Sequence, residues 1–321
     1  MNDLILHHYP ASPFAEKIRL ILGLKGLAWK EVIIPMVMPK PDVIALTGGY
    51  RKTPLLQIGA DIYCDTALIA RTLDVVAPKP GLHPREQAAT VMVLAQWADS
   101  VLFQMVMPVL YQPGSAEKLF SQFTPEQLKR FMEDRAAMRK NATVRRPPLA
   151  EAKSALLRFL AALDAQLADG RAWLLGAAPT VADFCVFHPL WFFRRGPAVA
   201  PMLDPYARVK AWMGRIDLIG HGKHSEITGA EAVAIAYRAI PARIAAAAVE
   251  DLEGFALGDS VDVLPVDYGF DPVRGELVNC TREEISLQRC DDRAGEVVVH
   301  FPRQGYEVRK PASPKGTSFG A

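Results

Sequence analysis

The chain has 321 residues, half of them hydrophobic, and a formal charge of +2 at pH 7. That length is long for one domain and comfortable for two or three, and the hydrophobic share can fill a sizeable core. So small a charge argues against a general nucleic-acid binder, and it is unevenly spread: residues 251–321 hold 13 acidic and 8 basic side chains, a net of −5, leaving +7 for residues 1–250. A basic front suits an anionic small ligand, and an acidic tail piece does not suit DNA or RNA. The four cysteines, Cys64, Cys185, Cys280 and Cys290, have neither CxxC nor metal-ligand spacing, so neither a disulfide framework nor a metal site is expected. The start lacks a basic segment followed by a long apolar one, and no uninterrupted apolar run approaches twenty residues, so the expectation is a cytoplasmic protein that does not engage a membrane.

In chain order, Leu4–Leu6 is a short buried strand, followed by the loop His7-His-Tyr-Pro-Ala-Ser-Pro13. A helix starts there, with Ser12 as N-cap, Pro13 at the first helical position and Ile18, Leu20, Ile21 and Leu22 as its buried stripe. Lys17 and Arg19 are assigned to its exposed face. Leu27–Ile34 is a second strand, and strand, helix, strand make a βαβ unit with parallel pairing. A proline-rich loop with a short helix near 41–46 leads to Arg51-Lys-Thr-Pro-Leu-Leu-Gln-Ile-Gly-Ala-Asp-Ile-Tyr-Cys-Asp-Thr66. Leu55–Ile58 and Ile62–Cys64 are two strands joined by turn residues, and a helix opens at Asp65 or Thr66. Pro54 cannot donate to a ladder, so before a strand it marks an edge or a special turn, for which a cis Thr53–Pro54 bond is one solution. The result is an edge with spare backbone groups beside a helix N-terminus, a combination able to hold an extended acidic peptide-like ligand. Taken alone, Asp65 and Thr66 are also accounted for as a helix cap and Pro54 as a turn.

Pro78–Gly81 is a linker. Residues 84–250 carry helical periodicity with almost no strand signal, giving helices at 85–110, 125–141, 149–168, 181–193, 206–216 and 230–249. Thr180-Val-Ala-Asp183 is a capping-box geometry. The period then changes: 260–266, 276–280, 284–290, 296–301 and 306–308 are five short strands separated by turn residues. They suggest a small SH3-like β-barrel over 251–310, either an interaction module or a lid on the helical domain, with 311–321 as a flexible tail.

Thr53, Pro54, Asp65 and Thr66 resemble the glutathione-binding positions of the glutathione transferases, and the order βαβ, α, ββα over residues 1–78 resembles their thioredoxin-like domain. The Thr180–Asp183 box extends the resemblance into their all-helical second domain. It implies an α+β multidomain fold with glutathione as co-substrate: Thr53 before a cis proline pairs with the cysteinyl backbone, and Asp65 and Thr66 hold the γ-glutamyl end. Asp-Thr stands where the family more often has Glu-Ser or Gln-Ser. Lys52 could pair with the glycyl carboxylate. Ser12 corresponds to the thiolate-stabilising serine of serine-type members, with Tyr9 the alternative, since other branches use a tyrosine. The implied reaction is attack of glutathione thiolate on a small apolar electrophile, in a pocket walled by Phe14, Phe103, Met107 and Tyr111. A homodimer and a detoxification role are implied as well. The rival is a non-catalytic scaffold that binds a protein through its helical surface or its C-terminal β-region. Other thiol chemistry, such as isomerisation or dehalogenation, is a third; disulfide reduction fits less well because Ser12 stands where a reductase has cysteine.

Overall fold

The computed structural model describes residues 3–244 and 247–311. Beyond Pro311 the expected tail lies outside the described residues. In chain order β1 (Leu4–His8), α1 (Pro13–Leu24) and β2 (Trp29–Ile33) form the expected βαβ unit, with β1 and β2 parallel. After α2 (Pro41–Thr47), β3 (Leu55–Ile58) and β4 (Asp61–Cys64) make an antiparallel hairpin turning at Gly59, whose φ of 64° suits glycine, and α3 (Thr66–Val76) closes the unit. The Thr53–Pro54 bond is cis.

The helical layer runs through α4 (Ala88–Trp97), a π-helical turn at Ala98–Leu102, α5 (Phe103–Leu110), α6 (Ala116–Leu119), α7 (Pro125–Met138), α8 (Leu149–Gln166), α9 (Val181–Phe193) and α10 (Ala207–Asp217). Helix α9 is apolar all round and almost wholly buried, the mark of a core helix. Its start is fixed by Asp183, whose carboxylate accepts from the Thr180 N–H (2.9 Å), the Leu174 N–H (2.8 Å) and the Trp212 indole N–H (3.1 Å). The 26-residue stretch Arg85–Leu110 contains an 18-residue window with a mean hydropathy of 1.4 and is long and apolar enough to cross a membrane by length and composition. In this fold its inner face packs on α8 and α9.

Three sequence-based expectations are corrected here. Lys17 and Arg19 are buried, not exposed. The last helix, α11 (Gly229–Arg238), stops well short of Val249, because Ile240-Pro241 disfavours helical backbone ahead of the proline. The C-terminal strands do not close into an SH3-like barrel. Strands β6 (Ser260–Pro265), β7 (Val273–Cys280), β8 (Glu284–Asp291), β9 (Gly295–Pro302) and β10 (Tyr306–Arg309) join one open sheet. The order is β10-β6-β7-β8-β9-β4-β3-β1-β2-β5, where β5 (His224–Glu226), an unexpected strand, pairs with β2. The free edge of β9 pairs in parallel with β4 and does not turn back on β10, Asp61 facing Val298 and Tyr63 facing His300. Strand composition marks five mutually pairing strands but not which edge stays open, and an unpaired edge is satisfied by any neighbour with the matching ladder.

The join has its own core: Ile5, Val32, Leu55 and Cys64 pack in one buried cluster with Val263, Leu287, Val299 and Phe301. At the seam the His300 ring, 5% exposed, sits between two acids, Nε2 3.0 Å from Asp61 and Nδ1 2.7 Å from Glu284, and stacks on Tyr63. Burial would lower its pKa, but the bonds to Asp61 and Glu284 outweigh burial and raise it. The protonated ring therefore stabilises the seam fully below its ordinary pKa of 6.5, and that contribution is lost as pH rises through the raised folded value. We expect the melting temperature of the wild type to fall as pH is raised from below 6.5 into the alkaline range, and His300→Gln to flatten that slope. A slope equal in both proteins in scanning calorimetry would remove the seam's ionic role.

Candidate functional site

The site forms where three chain segments meet: the loop ahead of α1, the cis turn ahead of β3 and the N-terminus of α3. Ser12 has extended backbone, with Pro13 as the first helical residue, and its Oγ accepts from the Ala15 N–H at 3.2 Å. It is 2% exposed. The Ser12 N–H donates to the Tyr9 carbonyl at 3.0 Å, and the Tyr9 phenol oxygen accepts from the Arg135 guanidinium at 3.4 Å. Arg135 is held in turn by the Met36 carbonyl (2.8 Å) and by Asp134. Burial pushes the Tyr9 pKa up, with Arg135 and Ser12 offsetting part of the rise. Ser12 and Tyr9 are thus neighbours joined through the backbone of one tight turn.

At the edge, neither the backbone N–H nor the C=O of Thr53 has a backbone partner among the described residues. Lys40, which the sequence reading passed over, is 3% exposed and donates to the Thr53 hydroxyl (3.1 Å) and to the Arg51 carbonyl (3.4 Å). No carboxylate lies within ion-pair distance of it among the described residues. Burial, helped by Arg135, lowers its pKa to about 8. A lysine in a Pro-Lys-Pro loop carries no linear signal of this position. Asp65 is the N-cap of α3 at φ 71°; its Oδ1 accepts from the Ala67 N–H at 2.9 Å and its Oδ2 from the Tyr306 hydroxyl at 3.2 Å. Thr66 is 4% exposed, and no protein group hydrogen-bonds its hydroxyl among the described residues. Lys52 pairs with Asp267 at 2.6 Å and lies 4.4 Å over the Tyr268 ring. Tyr268 and Tyr306 were not singled out in the sequence, because only the β4–β9 join carries them here.

The expected apolar wall is partly assembled. Phe14 meets Phe103 at 4.9 Å and His188 at 4.5 Å between ring centres. Tyr111 belongs to a second aromatic group with Phe120 and Phe192, and Met107 lies one helical turn from both Phe103 and Tyr111 along α5. Burial, with Tyr9 nearby, pushes the Tyr111 phenol up to about 12.

Behind Phe14 lies a buried ionic cluster that joins the two domains. The Lys17 ammonium is 2.6 Å from Asp99 on the π-helical turn and 3.5 Å from Cys185, and the other Asp99 oxygen is 2.8 Å from His188. Burial alone would raise the Asp99 pKa, but Lys17 and His188 hold it down at about 2. Burial itself lowers that of His188 to about 4. Removing one partner of a buried pair leaves the other uncompensated. We expect Lys17→Met to cost about 3 kcal/mol of stability in denaturant unfolding; a loss within experimental error would show that the cluster does not hold the domains together.

No cluster of three or more His, Cys, Asp or Glu able to hold a metal ion occurs among the described residues. Cys64, Cys185 and Cys280 are buried free thiols, and Cys290 is exposed.

Comparison with known proteins bears on the fold and the family. The glutathione S-transferase N-terminal domain family matches residues 6–81, and the glutathione S-transferase C-terminal domain family matches residues 146–215. A GST-like protein from Pseudomonas syringae of known crystal structure is 44% identical, covering 97% of this chain and 100% of that one at a TM-score of 0.82, so the match runs through the C-terminal strands. FtsZ-localized protein A of Caulobacter vibrioides is 25% identical over 184 residues, 56% of this chain and 72% of that protein. A glutathione S-transferase from Rhodospirillum rubrum shares the fold at 22% identity and a TM-score of 0.50, over 66% of this chain and 87% of that one.

Proposed function

Because the chain belongs to the glutathione S-transferase family, we propose that it binds glutathione or a close γ-glutamyl thiol between Ser12, Thr53, Asp65 and Thr66, and transfers the thiolate to an electrophilic carbon. The observation that carries this reading is the set of unused groups in one corner: the spare Thr53 backbone, the unbonded Thr66 hydroxyl at a helix N-terminus, and Ser12 at another.

A hydroxyl has one donor and two acceptor sites. Ser12 Oγ accepts from the Ala15 N–H, and its own proton can be turned to a ligand sulfur. Together with the α1 dipole, that bond favours thiolate over thiol, and the thiolate is the nucleophile. Tyr9, held by Arg135, is the alternative donor to that sulfur. Thr53 would pair with the cysteinyl backbone, Asp65 would take the γ-glutamyl ammonium, and Thr66 the γ-glutamyl carboxylate. Lys40, behind Thr53 and without an ion-pair partner among the described residues, is the cation on the far side of the ligand. The chemical step is formation of a carbon–sulfur bond as the thiolate attacks, with the leaving group departing with its electron pair or, in an addition, a proton arriving at the neighbouring carbon. Phe14 and Phe103 favour an apolar electrophile.

A second copy of the chain is the proposed partner. Met92, Val93 and Val101, at 58%, 63% and 41% exposed, and Val75 at 81%, leave an apolar face on α3, α4 and the π-turn. The rival reading, a protein-binding scaffold, draws on the similarity to FtsZ-localized protein A. A cytoplasmic location is part of the proposal, in keeping with the buried free thiols.

Calorimetric titration of glutathione tests the ligand. Wild type should bind, and Asp65→Ala should lose about tenfold or more, the worth of one charge-assisted hydrogen bond. Ser12→Ala should keep binding but raise the pH at which the bound thiol ionises by about one unit and lower kcat/KM about tenfold. Absence of wild-type binding at millimolar glutathione would favour the scaffold reading, and Ser12→Ala with unaltered thiol ionisation would remove Ser12 from the chemistry.

A further inference from the structure

The turn between β6 and β7 enters the proposed thiol site and supplies a carboxylate of its own. It is docked by backbone: the Thr143 N–H donates to the Asp267 carbonyl (2.8 Å), the Thr143 hydroxyl to the Val266 carbonyl (2.7 Å), and the Gly269 N–H to the Met138 carbonyl at the end of α7 (2.9 Å). So held, Asp267 places Oδ1 2.6 Å from the Lys52 ammonium, where it also accepts from the Tyr268 N–H at 2.7 Å. The Tyr268 ring lies against Lys52 from the same turn. The neighbouring cation is occupied too: Arg51 pairs with Asp134 at 2.7 Å and lies 3.6 Å from Asp271. A ligand carboxylate arriving at Lys52 meets a cation already neutralised by Asp267.

Building on the glutathione reading, we infer that Asp267 is a specificity-determining residue that disfavours a free carboxylate beside Lys52. The thiol ligand it selects is a γ-glutamylcysteinyl peptide whose glycyl end is neutral, such as an ester or an amide. The physical reason is replacement. The chain's own carboxylate makes the contact that the ligand's would make, so the free acid must either displace it or accept repulsion, while a neutral end does neither.

The test is calorimetric titration of glutathione and of its glycyl monoethyl ester into wild type, Asp267→Asn and Asp271→Asn at one pH and ionic strength. Asparagine keeps an oxygen for the Tyr268 N–H and removes only the charge. Wild type should bind the ester at least as tightly as the free acid. Asp267→Asn should shift the preference toward the free acid by about fivefold, the upper range for a partly exposed ion pair, and Asp271→Asn should leave it unchanged. If Asp267→Asn does not accumulate as folded protein, Asp267→Ser, which retains an acceptor, should give the same shift. Binding of both ligands with a preference that Asp267→Asn does not move, or that Asp271→Asn moves equally, overturns this inference alone. Binding of neither ligand to any of the proteins overturns the glutathione reading with it.

Discussion

The pairing of β4 with β9 is the constraint on which the rest of this structure depends. In a lone thioredoxin-like unit β4 would be an edge strand, with a row of unpaired backbone groups. Here that edge is filled in parallel by a strand from more than two hundred residues downstream, and a histidine between two acids anchors the seam. Once β9 is set against β4, the positions of β8, β7, β6 and β10 follow by antiparallel ladders, and Tyr306 and the Asp267–Tyr268 turn are carried over the ligand corner. What looks in sequence like an appended module is one wall of the site.

Opposite that wall the helical domain contributes through charge as well as apolar surface. Arg135 on α7 reaches Tyr9 and Met36, Asp134 holds Arg51, and the Lys17–Asp99–His188 cluster ties α1 to the π-turn and to α9. The loop that presents Ser12 is therefore braced from both sides. A hydroxyl that must offer its single proton in one direction needs such bracing, because each of its other contacts has to be satisfied at the same time.

The parts of the site visible in the sequence are those whose chemistry is local. Ser12 followed by Pro13 caps α1, Asp65 caps α3, and the Thr53–Pro54 bond before β3 is cis; each depends on a few neighbouring residues. Lys17, Arg19 and Lys40 were invisible or misplaced. Lys17 is tolerated because Asp99 arrives from 82 residues away, and Lys40 because Thr53 and Arg51 accept from it, whereas Arg19 is held by its near neighbours Glu16, His8 and Pro10. Charge on an isolated helix defaults to the solvent side, and nothing in the linear pattern shows that a partner is waiting.

By itself the sequence determined the βαβ-α-ββα order, the helical domain with its buried α9, the five C-terminal strands and the caps that open α1 and α3, since periodicity and capping act over a few residues. Tertiary structure decided which sheet edge the last strands would fill, that they form no closed barrel, and that Asp267 and Tyr306 face Lys52 and Asp65. Strand pairing is specified by which edges are left unsatisfied when distant segments meet, and that is a property of the assembled fold and of no single stretch of chain.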